Sequence, residues 1–241
     1  MTVSNSTMTP PIAKPHKLYN LILPISLERR KVLLGYKRRG FGVGKFNGFG
    51  GKVEPGETIV ASAKRELEEE SGIICTEDQL HHHAVLLLET VAPGAEQEKI
   101  LEIHVFVCTE WTGEIVETEE MSPQWFSPED LPLDQMWEET RIWMKTMLEV
   151  YLSNDDTINN KPPSNTTAVS DIATESKELS SRNKRFVHYV DYRGGMNEQA
   201  GEWDPWHGMD TNVLEWTGKT INAWCKEDMM EWASKIRSTK A

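Results

Sequence analysis

One stretch of twenty-three residues, 51–73 (GKVEPGETIVASAKRELEEESGI), constrains this chain's fold more than any other. Thr58 is a suitable helix N-cap and Gly72 a suitable left-handed stop, so the spacing predicts a helix over residues 58–71. Placed at 100° per residue, Val60, Ala63 and Leu67 fall within about 60° of one another and form a core stripe. Glu66, Glu69 and Glu70 stand at i, i+3 and i+4 on a neighbouring face spanning about 100°, while Glu68 points elsewhere. Three carboxylates so close repel one another unless a cation neutralises them. Oxygen-only ligands select a hard divalent ion, Mg²⁺ or Mn²⁺. Taken without its flanks, the cluster also fits a solvated acidic helix face.

The flanks have an α/β pattern. Residues 18–25 (LYNLILPI) and 31–36 (KVLLGY) read as strands joined by a polar turn. Residues 40–51 hold six glycines in twelve positions, which implies a loop that turns sharply or approaches something closely. Further strands are expected at 85–89, 101–111 and 125–126. Helical spacing over 137–152 offers Trp137, Ile142, Trp143, Met147 and Tyr151 as apolar contacts. From 153 to 184 the composition turns to Ser, Thr, Asn and Asp, the mark of a polar linker. Five of the nine tryptophans (Trp203, Trp206, Trp216, Trp224 and Trp232) then lie in the last forty residues, too many aromatics for a disordered tail.

Charge narrows the function class. The net charge is −12, from 26 basic and 38 acidic side chains, so the whole-chain field repels phosphate polymers and anionic membranes. Yet residues 29–52 carry eight basic side chains and no acidic one, which leaves −20 for the rest. Such an island suggests a local anion site, with a solvated hairpin as the plain alternative. No stretch approaches the ~20 apolar residues of a membrane span. Cys75, Cys108 and Cys225 are odd in number and widely spaced, so neither a disulfide framework nor a zinc site is written here. Residues 1–17 show no targeting signal, and a soluble protein of a reducing compartment is expected. His81, His82 and His83 read as solvated loop histidines rather than metal ligands, and His104 as a structural strand residue.

The pattern Gly-x5-Glu-x7-Arg-Glu-apolar-x-Glu-Glu-x-Gly-apolar is matched without a gap by Gly51, Glu57, Arg65, Glu66, Leu67, Glu69, Glu70, Gly72 and Ile73. This resembles the Nudix box, and nine fixed positions leave little room for chance. The run LLGYKRRGFGVGKFNGFGGKVEPGETI, followed in order by IHVFVCTEW, EEMSPQWF and QMWEET, is similar to the oxidised purine nucleoside triphosphatase branch of that family. The likeness covers about residues 17–152 and says nothing of 153–241.

The resemblance implies an α/β/α sandwich with a mixed sheet, and hydrolysis of 8-oxo-dGTP or 2-hydroxy-dATP to the monophosphate and pyrophosphate. It implies Mg²⁺, with Mn²⁺ as an alternative, held by Glu66, Glu69, Glu70 and the Gly50 carbonyl, with Glu120 beside it. Glu70 or Glu120 would deprotonate the water, and Glu57 with Arg65 would brace the helix start. Lys37 and Gly51 would contact the substrate, with Lys52 near the phosphates. Asn20, Phe41, Asn47, Phe49, Met121 and Trp137 would form the base pocket. One departure stands out: where the branch has two adjacent aspartates that read the purine edge, this chain has Glu139 and Thr140. Thr140 cannot be a second acid, which puts breadth toward oxidised adenine in doubt.

The expected organisation is an N-terminal tail (1–16), the hydrolase domain (17–152), the linker (153–184) and a small Trp-rich C-terminal element (185–241). A small-molecule nucleotide substrate is expected, with no nucleic acid polymer or membrane. The same reading gives a monomer of the cytoplasm, or of a nuclear or mitochondrial pool, and leaves the C-terminal element free to meet a protein partner. Two other readings stay open: a pyrophosphatase for another nucleoside diphosphate derivative, and a nucleotide-sensing interaction protein.

Overall fold

The computed structural model describes residues 16–90, 99–152, 185–197 and 201–217. The expected tail, the linker, and Trp224 and Trp232 lie outside these residues.

Alternation of large apolar side chains sets the layers. The first strand, β1 (His16–Ser26), sends Leu21, Leu23 and Ile25 to one face and Ile22 to the other, and all four are buried. It pairs parallel with β5 (Lys99–Cys108), and at its end antiparallel with β2 (Lys31–Lys37). Short β3 (Phe46–Asn47) and β6 (Met121–Phe126) both pair with β2. On the far side, β5 pairs antiparallel with β4 (Leu80–Thr90).

Residues 185–217, expected to form an element of their own, instead extend this sheet. The strand β7 (Arg185–Tyr192) lies parallel to β4, with Thr90 opposite Tyr192. A small hairpin follows, β8 (Gly195–Asn197) and β9 (Glu202–Asp204), and then β10 (Met209–Thr217) returns antiparallel to β7. The result is one mixed sheet of eight strands in the order β10-β7-β4-β5-β1-β2-β3, with β6 on β2. The boundary at 152 therefore does not separate two sheets.

Each face carries one helix. The first, α1 (Ile59–Ser71), buries Ala63 and Leu67 against Ile22, Leu33, Phe49 and Phe106. The second, α2 (Thr140–Leu152), buries Trp143, Met144, Met147 and Leu148 against Leu23, Leu34, Val105 and Phe186. The expected α/β/α sandwich is present. Full burial of a leucine such as Leu67 is worth about 1.5–3 kcal/mol, so α1 is fixed chiefly by its apolar stripe. Among the described residues no helix is long and apolar enough to cross a membrane.

The histidine triplet is not in a loop, because β4 begins at Leu80. Both faces of the strand are covered, so His82 packs against Phe106 on the α1 side and His83 against Phe186 on the α2 side. The His82 ring stacks on His104 and Phe106, and His83 Nδ1 lies 3.2 Å from the Tyr151 hydroxyl. Burial pushes both imidazoles down to about 3, so they are neutral packing groups. His104 is structural as expected, bridging His82 at 3.0 Å and Glu102 at 2.8 Å.

Candidate active site

The ends of α1 form as the residues dictate. Thr58 accepts a hydrogen bond from the Ala61 amide (3.1 Å), and Gly72 stops the helix at a φ of 76°. With Ala63 and Leu67 fixed in the core, Glu66, Glu69 and Glu70 turn toward a cavity of about 440 Å³, while Glu68 is exposed.

The opposite wall is the glycine-rich segment strapped to β1. Asn20 donates its amide to the Gly51 carbonyl (3.0 Å), and Ile22 and Phe49 exchange backbone bonds of 2.6 and 2.9 Å. The strap comes so close that a Cβ at Gly50 would stand 2.3 Å from the Asn20 carbonyl oxygen, at a φ of +148°. A Cβ at Gly51 would stand 2.6 Å from the Glu66 carboxylate. Only glycine lets this backbone reach the acidic face of α1.

Each carboxylate is met by a cation. Arg65 holds Glu57 through two bonds (Nε 2.8 Å, Nη2 3.0 Å) and reaches Glu66 at 2.9 Å and Glu69 at 3.1 Å. The bond from Arg65 keeps the Glu57 carboxyl down at about 2. Arg65 and Glu57 stand outside the cavity lining and brace the helix. Across the cavity, Lys37 Nζ bridges Glu70 (2.7 Å) and Glu120 (2.5 Å), and Glu70 also accepts the Gly50 amide at 2.8 Å. Burial opposes the Lys37 charge, but its bonds to Glu120 and Glu70 outweigh that, so its pKa lies above the usual lysine value. Burial raises Glu70 and Glu66 above the usual carboxylate range, with Lys37 and Arg65 respectively working against the rise.

With the acids turned onto Lys37 and Arg65, no three His, Cys, Asp or Glu groups among the described residues stand in a ligating array. The donor set nonetheless fits a hard cation: three acidic side chains of α1 and Glu120 line one cavity with the Gly50–Gly51 backbone, and a lysine ammonium already bridges two of them.

The other end of the cavity is aromatic. Phe41 stacks on Trp137 (centroids 5.1 Å apart), and Lys45 Nζ sits 5.0 Å from the Trp137 ring. Asn20, Asn47, Lys52, Met121, Glu139 and Thr140 line the same space. Asn20 donates its side-chain amide to Ser62 (3.0 Å), while its Oδ1 and the Trp143 Nε1 have no hydrogen-bond partner among the described residues. Glu139 is 3% exposed and accepts a hydrogen bond from the Tyr192 hydroxyl. Desolvation pushes its carboxyl up to about 7, with Glu138 adding to the rise and Tyr192 and Lys45 working against it.

Phe49 is the one expected contact that does not reach this space. It alternates with Gly48 and Gly50 along the strap, so its ring faces the α1 side and is wholly buried there. Among the lining residues that were not expected, Tyr192 and Trp206 come from beyond residue 152. The tryptophan-rich composition marked the segment that holds Trp206 but not where it packs, because residues 153–184 intervene.

A family model described as the NUDIX domain matches residues 19–147. The chain belongs to the Nudix family. An oxidized purine nucleoside triphosphate hydrolase of Danio rerio is 44% identical over 133 residues, 55% of this chain and 80% of that protein. The Mus musculus protein of the same name is 41% identical over 133 residues, again 55% and 80%. Among solved structures, the MutT protein of Bacillus halodurans aligns over 83% of this chain and 97% of that chain, with a TM-score of 0.52 and 17% identity, a likeness of the Nudix fold alone.

Proposed function

We propose that this Nudix chain hydrolyses oxidised purine nucleoside triphosphates to the monophosphate and pyrophosphate. One observation carries the reading. A single cavity has the acidic face of α1 at one end and a buried carboxylate among aromatic rings at the other. That is the polarity a nucleoside triphosphate needs, and the two relatives named above carry the corresponding activity in their names.

Glu66, Glu69, Glu70 and the Gly50 carbonyl would hold Mg²⁺, or Mn²⁺ in its place, with Glu120 beside them. When bound, the ion neutralises charge on the phosphate oxygens and lowers the pKa of water. The chain's own groups do the rest. Glu70 and Glu120 both face the cavity and already grip a proton donor in Lys37, so either can take the proton of an attacking water. Lys37 and Lys52 present positive charge to the phosphates. Arg65 spends its donors on Glu57, Glu66 and Glu69, which fixes the carboxylates for the reaction. Phe41 and Trp137 supply faces for the base, and Asn47 an amide.

The chain would act as a monomer on the free nucleotide pool of the cytoplasm. Chromatographic measurement of the nucleoside monophosphate formed from 8-oxo-dGTP, 2-hydroxy-dATP, dGTP and ADP-ribose tests the reading. The highest kcat/KM on an oxidised purine triphosphate is expected, and a preference for ADP-ribose would overturn it.

A further inference from the structure

We propose that Tyr192 and Trp206, beyond the family-matched region, set the base specificity of this site: Tyr192 fixes Glu139 as an acceptor for the N1–H and 2-amino donors of a guanine-type base, and Trp206 closes the wall above them. The inference rests on the triphosphatase reading.

The placement is built by the sheet. Parallel pairing of β7 with β4 sets Tyr192 opposite Thr90 and leaves its ring 1% exposed at the cavity floor, with its hydroxyl on Glu139. Trp206 packs edge-on against Tyr192 (5.9 Å) and against Phe41 (6.1 Å). An aromatic wall therefore runs from the partner of Glu139 to the Phe41–Trp137 stack. Neighbouring glutamates divide the work. Glu138 accepts the amides of Gly208 (3.3 Å) and Met209 (3.0 Å) and pairs with His207 Nδ1 at 2.6 Å, tethering the C-terminal segment. Thr90 donates to the Pro205 carbonyl at 3.1 Å, a second tether. Glu139 is left to face the base.

The chemistry follows from who donates. A tyrosine hydroxyl that gives its proton to one carboxylate oxygen favours the anion and leaves the other oxygen as an acceptor. A guanine-type edge brings two adjacent donors to that oxygen. In its 2-hydroxy tautomer the adenine-type edge of 2-hydroxy-dATP brings N1 as an acceptor, and two acceptors repel. Thr140 cannot relieve this, since a hydroxyl does not exchange a proton with Glu139 as a second carboxyl would. Selectivity therefore comes from a tyrosine supplied by β7 rather than from a second acid on the helix start.

The test is steady-state kinetics of the full chain and of Tyr192→Phe with 8-oxo-dGTP and 2-hydroxy-dATP in Mg²⁺. Removing one hydrogen bond to a buried carboxylate is expected to raise KM for 8-oxo-dGTP about tenfold, with kcat falling far less. The kcat/KM ratio of 8-oxo-dGTP to 2-hydroxy-dATP should fall by about the same factor. A folded Tyr192→Phe with unchanged KM and ratio, or a loss confined to kcat, overturns the inference and leaves the triphosphatase reading intact. A wild-type chain inactive on 8-oxo-dGTP overturns that reading, and the inference with it. Should Tyr192→Phe fail to fold, Trp206→Ala on the half-buried rim decides. A KM for 8-oxo-dGTP raised about threefold supports the proposal, and an unchanged KM refutes it.

Discussion

The two ends of the cavity use buried carboxylates in opposite ways. At the phosphate end, Glu70 shares Lys37 with Glu120 and takes the Gly50 amide, so a crowd of acids is held by cations within reach of one another. At the base end, Glu139 is a single carboxylate among aromatic rings, held by one hydroxyl. The first arrangement supports charge that can be traded for a stronger cation. The second holds one oxygen still, which is what the proposed reading of a base edge requires. Damage at the phosphate end should slow every triphosphate alike, whereas damage at the base end should change which triphosphate is chosen.

The largest expected effect separates the ends most sharply. Glu70→Gln should cost roughly 10²-fold or more in kcat on each triphosphate tested, with little change in preference. A variant that altered preference and kept kcat would break the comparison. Next in size, Glu139→Gln should lower kcat/KM for 8-oxo-dGTP by about 10- to 100-fold, mostly through KM, because an amide cannot replace an anionic acceptor. Equal losses on 8-oxo-dGTP and 2-hydroxy-dATP would show that Glu139 only shapes the pocket.

The phosphate end was legible because its residues fall on one helix and the loop before it. Spacing on α1 places Glu66, Glu69 and Glu70 together, and Gly50 and Gly51 announce a close approach that the strap to β1 then makes. The base end was only half legible. Glu139 and Trp137 could be named, but the Tyr192 hydroxyl reaches Glu139 across 53 residues of sequence. The parallel pairing of β4 with β7 that brings it there leaves no local pattern to read. Phe49 was placed in the pocket by the resemblance alone, whereas strand alternation sends it into the core. The histidines misled because β4 is covered on both faces, so adjacent polar residues are buried in opposite layers.

A pH series sharpens the base end. The folded Glu139 carboxyl lies near 7, above its ordinary value of 4.5. Between those values the folded chain keeps a proton that the unfolded chain has lost, so stability falls as pH rises through this window, by on the order of 3 kcal/mol. Thermal melts of wild type and Glu139→Gln should therefore diverge from pH 5 to pH 7, wild type losing more. In the same window the KM for 8-oxo-dGTP should rise as pH falls, because the protonated acid no longer accepts. A flat KM would place the reading of the base elsewhere. The smallest effect is expected from Lys45→Met, which removes a cation over Trp137 and should raise KM by about twofold.

The central claim is that the acidic face of α1 serves a divalent ion acting on a triphosphate chain. Turnover of 8-oxo-dGTP after treatment with EDTA, and then across a Mg²⁺ titration, tests it most directly. The account predicts no turnover in EDTA, saturable recovery with Mg²⁺, and pyrophosphate as the released product. Full turnover in EDTA, or release of orthophosphate alone, would contradict it.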